Sequence, residues 1–154
     1  MGKIIIGYTT GVFDLFHIGH LNILRNANSL CDRLIVGVST DELAFEYKGK
    51  YPVIPFHERC EIVSNIRYVD AVVPQETLDK FHAWQKLQFD IIFHGDDWYG
   101  KQMWKKFDRQ LKRVGVRVVY FPYTKGISSE SIRQSLPESS ATFKDKSGAG
   151  AIVT

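Results

Sequence analysis

Residues 4–20 read IIIGYTTGVFDLFHIGH, and the fold turns on how this stretch is read. Its first part, Ile4–Tyr8, is a short apolar run that predicts a strand. Its second part, Gly11-Val12-Phe13-Asp14-Leu15-Phe16-His17-Ile18-Gly19-His20, predicts the turn out of that strand and the first turn of a helix. Backbone N–H groups and the helix dipole at such a start favour an anion. Gly19 keeps the backbone open to phosphate oxygens. His17 and His20 could then donate hydrogen bonds to charge building up on a phosphoryl group. A metal site is the poorer reading, because two histidines three apart with no third ligand nearby rarely hold an ion. The plain alternative is a pair of helix-start histidines with no chemical part.

Outward from this stretch, strand and helix patterns alternate. Leu34–Val38, Ala71–Val73, Ile91–Phe93 and Val116–Phe121 are further apolar runs, as expected of strands covered on both faces of a parallel sheet. Leu21, Leu24 and Ala27 share one helical face over 18–30, and Ile62, Ile66 and Val69 share another. Leu78, Phe81 and Gln85, then Met103, Phe107, Leu111 and Val114, mark two more helices. Ser128 is placed to cap a last short helix from Ser129 to Leu136, which Pro137 stops. The pattern predicts a single α/β domain over 1–137, a Rossmann-like, doubly wound parallel sheet of five strands. Such sheets bind ligands at the carboxyl ends of their strands, near the switch point. Residues 41–55 read as one long lid-like loop, and 138–154 as a flexible tail outside the core.

At 154 residues the chain suffices for one buried core. Its net charge of +3, spread along the sequence, argues against a protein that coats nucleic acid. The first apolar run is too short for a membrane span or a signal-peptide core. Cys31 and Cys60 match no metal spacing and are expected to be reduced, as in the cytoplasm, and the shortness of the apolar run leaves no membrane partner expected.

Three other segments fall just after predicted strands or in the loop. Thr124-Lys125-Gly126-Ile127-Ser128-Ser129 sets a glycine turn and hydroxyls at a helix start, a cradle for β- and γ-phosphates. Gly95-Asp96-Asp97-Trp98 puts carboxylates where a sugar hydroxyl or an exocyclic amine could donate to them. Trp98 could stack on a base or close the core. Lys48 and Lys50 lie on the loop, where a flexible cation could reach a transferring phosphate, although solvated lysines are commoner there. His94 reads as a hydrogen-bonded core histidine, and Trp84, Trp104 and Phe107 as core.

GVFDLFHIGH resembles the HxGH signature of the cytidylyltransferases, within the wider nucleotidyltransferase and class I tRNA synthetase superfamily. The similarity continues through VSTDE (38–42), HER (57–59), IRYVD (66–70), GDDW (95–98) and TKGISS (124–129). These segments keep the order and rough spacing of the bacterial glycerol-3-phosphate cytidylyltransferases. The resemblance implies catalytic roles for His17, His20 and Lys50. It implies nucleotide contacts from Gly11, Val12, Phe13, His17, His20, Gly95, Asp96, Asp97, Tyr123, Thr124, Gly126, Ile127, Ser128 and Ser129. Acceptor contacts are assigned to Asp14, Arg59, Arg67 and Trp98, with Arg67 at the position implied to hold the acceptor's phosphate. The family pattern RTxGIST has an arginine where this chain has Tyr123, and Ser129 replaces its threonine.

The reaction so implied joins CMP from CTP to a small phosphorylated alcohol, such as glycerol 3-phosphate, and releases pyrophosphate. It uses Mg²⁺ held mainly by the phosphates and no dedicated protein cage. A homodimer and a role in envelope polymers follow from the resemblance alone. Two alternatives stay open: an adenylyltransferase using ATP on a vitamin-derived or sugar phosphate, and a non-catalytic nucleotide-binding module, which Tyr123 would suit.

Overall fold

The computed structural model describes residues 2–95, 102–122 and 127–136. Five strands form one parallel sheet: β1 (Ile6–Gly11), β2 (Arg33–Ser39), β3 (Ala71–Gln75), β4 (Ile91–Gly95) and β5 (Arg117–Phe121). The helices are α1 (Ile18–Asn28), α2 (Asp41–Lys48), α3 (Phe56–Ser64), α4 (Lys80–Leu87), α5 (Gln102–Arg113) and α6 (Ser129–Ser135). The strand order is β3-β2-β1-β4-β5, so the chain winds outward from β1 in one direction and then crosses back to β4. That reversal puts the switch point between β1 and β4, and the doubly wound reading holds.

Alternation along the strands divides the core between the two faces of the sheet. Leu34, Val36, Val38, Ile91 and Phe93 pack with Leu24 and Ala27 of α1 and Val63 of α3. Ile92 and Tyr8 point the other way, toward Leu111 of α5 and the partly buried Phe81 and Trp84 of α4. No helix among the described residues is long and apolar enough to cross a membrane.

Three expectations are corrected. Residues 41–55 are not one loop, since Asp41–Lys48 is helical. Thr40 caps this helix by accepting from Leu43 N at 3.1 Å, Asp41 and Glu42 suit its positive end, and Leu43 and Ala44 bury its inner side. Gly49, at φ 78°, takes the left-handed conformation that ends it, leaving a shorter loop over 49–55. The first strand runs from Ile6 to Gly11 rather than 4–8, because its pairing with β2 extends from Ile6↔Arg33 to Gly11↔Val38. The third helix stops at Ser64, so Ile66 and Val69, expected on its face, follow it with Arg67 in a turn and still pack against the core. The expected tail, 138–154, and Pro137 lie outside the described residues.

Leu24 has no exposed surface and sits at the centre of the α1 face. Leu24→Ala is expected to lower the unfolding free energy by about 2–5 kcal/mol, read from the urea midpoint at unchanged m-value.

Candidate active site

Between β1 and α1 the backbone makes a tight turn in which two non-glycine residues, Phe13 (φ 56°) and Leu15 (φ 49°), are left-handed. Each such residue costs about 1–2 kcal/mol, so the turn exists only because its surroundings impose it. Phe13 is buried against Phe16 and the His20 ring. The carboxylate of Asp14 accepts from Val53 N and Ile54 N at 2.9 Å each, and from Arg133 Nη2 at 2.9 Å. The Asp14 carbonyl accepts from Ser129 Oγ at 2.6 Å. Under the turn, Arg59 is 0% exposed and donates to the carbonyls of Val12, Ser39 and Ile54 at 2.7, 2.8 and 2.8 Å, and to Asp41 at 2.6 Å.

The two histidines build the start of α1 between them. His17 Nδ1 accepts from Gly19 N at 3.0 Å, and the His17 N–H donates to His20 Nδ1 at 3.2 Å. This is a reciprocal capping box made of imidazoles. The rings stack with centroids 3.8 Å apart. A Cβ on Gly19 would lie 2.8 Å from His17 Cε1, so only glycine leaves room for this ring. With each Nδ1 used as an acceptor, the neutral tautomer of each ring carries its proton on Nε2, a hydrogen-bond donor. Burial pushes His20 down to about 3, with the charges of His17 and Lys48 adding to the effect. Burial also lowers His17. Two neutral rings can stack without repulsion, which two imidazolium ions could not.

A cavity of about 190 Å³ opens at the carboxyl ends of β1 and β4, the switch point of the sheet. It gathers Gly11, Val12, Phe13, Asp14, His20, Gly95 and Ser129 from the sequence-derived set. A smaller cavity of about 70 Å³ adjoins it and brings Lys50 alongside Ser129 and Arg133. Lys50 is paired with Glu130 at 2.6 Å. Ile127 lies close to Gly19, and Ser128 caps α6 by accepting from Ser131 N at 3.0 Å. Asp96, Asp97, Trp98, Tyr123, Thr124 and Gly126 lie outside the described residues.

Three residues assigned to the acceptor are placed differently. Arg59 is an interior buttress, since a guanidinium with no exposed surface and four protein acceptors has no face to offer a ligand. Asp14 borders the cavity, but both carboxylate oxygens are occupied by Val53, Ile54 and Arg133. Arg67 is exposed in the turn before β3, at the amino ends of the strands and so at the end of the sheet away from the cavity.

The structure adds to the set drawn from the sequence. Lys48, weighed there both as a cation that could reach a phosphate and as a solvated loop lysine, ends α2 at the cavity and is close enough to His20 to lower its basicity. Arg133 anchors Asp14 from α6. Lys80, 1% exposed, donates to Thr10 Oγ1 at 2.6 Å under the cavity floor, and burial pushes it down to about 7. Nothing in the local pattern around Lys80 separates it from a solvated helix lysine. His94 is a core histidine as expected, buried beside Asp108 at 3.8 Å and pushed down to about 3 by burial and by Lys80.

A profile described as Cytidylyltransferase-like matches residues 8–135. Over 135 residues the chain is 38% identical to glycerol-3-phosphate cytidylyltransferase of Bacillus subtilis strain 168, covering 83% of this chain and 94% of that one. It is 36% identical over 129 residues to FAD synthase of Pyrococcus abyssi, covering 79% of this chain and 80% of the relative. Among solved structures, the lipopolysaccharide core biosynthesis protein of Thermoplasma volcanium superposes with a TM-score of 0.66 at 26% identity, covering 81% of this chain and all of that one.

Both His20 and His94 are lowered from an ordinary 6.5 to about 3, so the unfolded chain binds more protons between those values. Their contribution to stability is complete above about 6.5 and is lost as pH falls toward 3. The urea midpoint is therefore expected to drop steadily from about pH 7 to pH 4.5, and His94→Asn to flatten the slope. A midpoint that stays level over that range contradicts the burial of these rings.

Proposed function

The chain belongs to the cytidylyltransferase-like family, and on that premise we propose that it transfers CMP from CTP to a small phosphorylated alcohol, glycerol 3-phosphate or one close to it. The observation that carries this reading is the imidazole capping box. It leaves Nε2 of each ring as a neutral donor, with His20 lining the switch-point cavity beside Lys48 and Ser129 and His17 stacked on it. Neutral donors suit charge that grows during reaction, because they are oriented beforehand and need no reorganisation as it develops.

The displacement is in line. An acceptor phosphate oxygen bonds to the α-phosphorus of CTP as the bond to the bridging oxygen of the β-phosphate breaks, and pyrophosphate leaves with the electron pair. No covalent enzyme intermediate is required, since positioning and charge stabilisation suffice. His17 and His20 donate to the α-phosphoryl oxygens, Lys48 and Lys50 balance the phosphates, and Ser128 and Ser129 stand where the pyrophosphate departs. Lys48 and Lys50 border the adjoining cavity, so tyrosine at position 123 does not leave the phosphates without counter-charge. Mg²⁺ would ride on the triphosphate, whose charge it neutralises. Asp14, the carboxylate at the cavity floor, is held by backbone amides and Arg133, in keeping with a metal bound through phosphates rather than side chains. On the same reading the enzyme is cytoplasmic, acts as a homodimer and supplies an activated alcohol to envelope polymers.

The likeness to FAD synthase supports adenylyl transfer as the second reading. Pyrophosphate release measured with each nucleoside triphosphate, Mg²⁺ and a panel of phosphorylated alcohols and amines separates the two. Turnover is expected with CTP and one polyol phosphate, whereas turnover with ATP alone would establish the second reading. Nucleotide binding without turnover across the panel would favour the non-catalytic module.

Replacing His17 or His20 by alanine is expected to lower kcat by about 100-fold or more. The far-ultraviolet circular dichroism should stay native, and near-full turnover in either variant would remove the histidines from the chemistry.

A further inference from the structure

We propose that Glu130 is a positioning residue that holds Lys50 in reserve at the cavity rim, so that an incoming triphosphate must take the lysine from it. The inference rests on the reading that this cavity receives a nucleoside triphosphate. Lys50 Nζ and Glu130 Oε2 lie 2.6 Å apart, joining the 49–55 loop to the first turn of α6. Both side chains border the smaller cavity, which shares Val12, Asp14, Lys48 and Ser129 with the larger one beside His20.

The ion pairs at this rim differ in how readily they can be released. Arg133 pairs with Asp14, whose side chain is 5% exposed and is fixed by two backbone amides. That pair cannot open without exposing the turn below it. The side chains of Lys50 and Glu130 are 45% and 51% exposed, so their attraction is screened and weak. The loop backbone does not have to move for the exchange. Val53 and Ile54 are bonded to Asp14, and Arg59 holds the Ile54 carbonyl, so only the lysine side chain needs to swing. Glu130 stays charged to well below neutrality, because its bond to Lys50 holds its carboxyl below the usual range. A single carboxylate therefore opposes a polyanion for the same ammonium group, and the polyanion wins at a modest cost in affinity. The pair offsets the charge of Lys50 at the empty rim, which Lys48 keeps cationic, and holds the lysine beside the cavity.

A double-mutant cycle tests this with CTP binding measured by calorimetry in the presence of Mg²⁺ and KM measured by pyrophosphate release. Glu130→Gln is expected to tighten CTP binding and lower its KM by about two- to fivefold at low salt. The effect should shrink as the Debye length falls below about 6 Å, with kcat changing less than about twofold. In a Lys50→Met background, Glu130→Gln should change CTP binding by less than about 1.5-fold. Weaker or unchanged binding in Glu130→Gln overturns the proposal. The same tightening without Lys50 also overturns it, because Glu130 would then repel the nucleotide directly. If ATP binds in place of CTP and the cycle holds, the nucleotide assignment fails while the reserve role stands. Absence of binding by any triphosphate overturns both.

Discussion

Arg59 donates to the carbonyls of Val12, Ser39 and Ile54 from a position with no solvent exposure. One guanidinium thus ties the exit of β1, the end of β2 and the 49–55 loop to a common point. Its charge is answered by Asp41 at 2.6 Å, on the first turn of α2. Truncating Arg59 would leave the carbonyls it serves without that donor, at about 1–3 kcal/mol for each buried group left unsatisfied. Arginine suits this place because its planar fork can meet acceptors in several directions at once. A lysine would leave some of the carbonyls without a donor.

Above that anchor sits the strained turn, and the strain has a purpose in the geometry. Left-handed residues at Phe13 and Leu15 turn the chain between β1 and α1, and His20 on the first turn of that helix lines the cavity at the strand ends. Asp14 then locks the turn to the loop and to α6 through Arg133 and Ser129. The cavity is consequently made of parts from distant points in the chain, held by a few charged hydrogen bonds rather than by one continuous apolar wall. Burial sets its electrostatics as well: His20 and His94 are kept neutral, and Lys80 lies under the floor with its basicity lowered. A neutral interior below a cationic rim draws a polyanion to the rim and leaves directed N–H groups beneath it.

Much of this was legible in the sequence for identifiable reasons. The strands were visible because strands covered on both faces need unbroken apolar runs, as at Leu34–Val38 and Ile91–Phe93. The histidine motif was legible because its meaning depends on a strand before it and a helix after it, and both are local. α2 was missed because its buried face is only Leu43 and Ala44, too short to show a period, although Thr40-Asp41-Glu42 carried a capping signal. The structural parts of Arg59 and Asp14 were not legible for a deeper reason. A charged residue next to a motif looks the same in sequence whether it faces a ligand or three backbone carbonyls. Only the crossing of β1, β2 and the loop decides between those fates, and no local pattern encodes that crossing. Lys80 was invisible on the same grounds.

The imidazole capping box has a consequence for how such a chain can change over generations. In most enzymes the groups that perform the chemistry are dispensable to the fold, so a duplicate gene released from selection loses them first and keeps its shape. Here Nδ1 of each ring belongs to the architecture of α1, which leaves Nε2 as the donor. Drift that erased the histidines would also cost α1 its cap, about 0.5–2 kcal/mol, and Gly19, shaped to one of those rings, would have nothing to accommodate. Selection on the fold alone would therefore favour keeping these histidines, even in a descendant that had given up their outward-facing nitrogens.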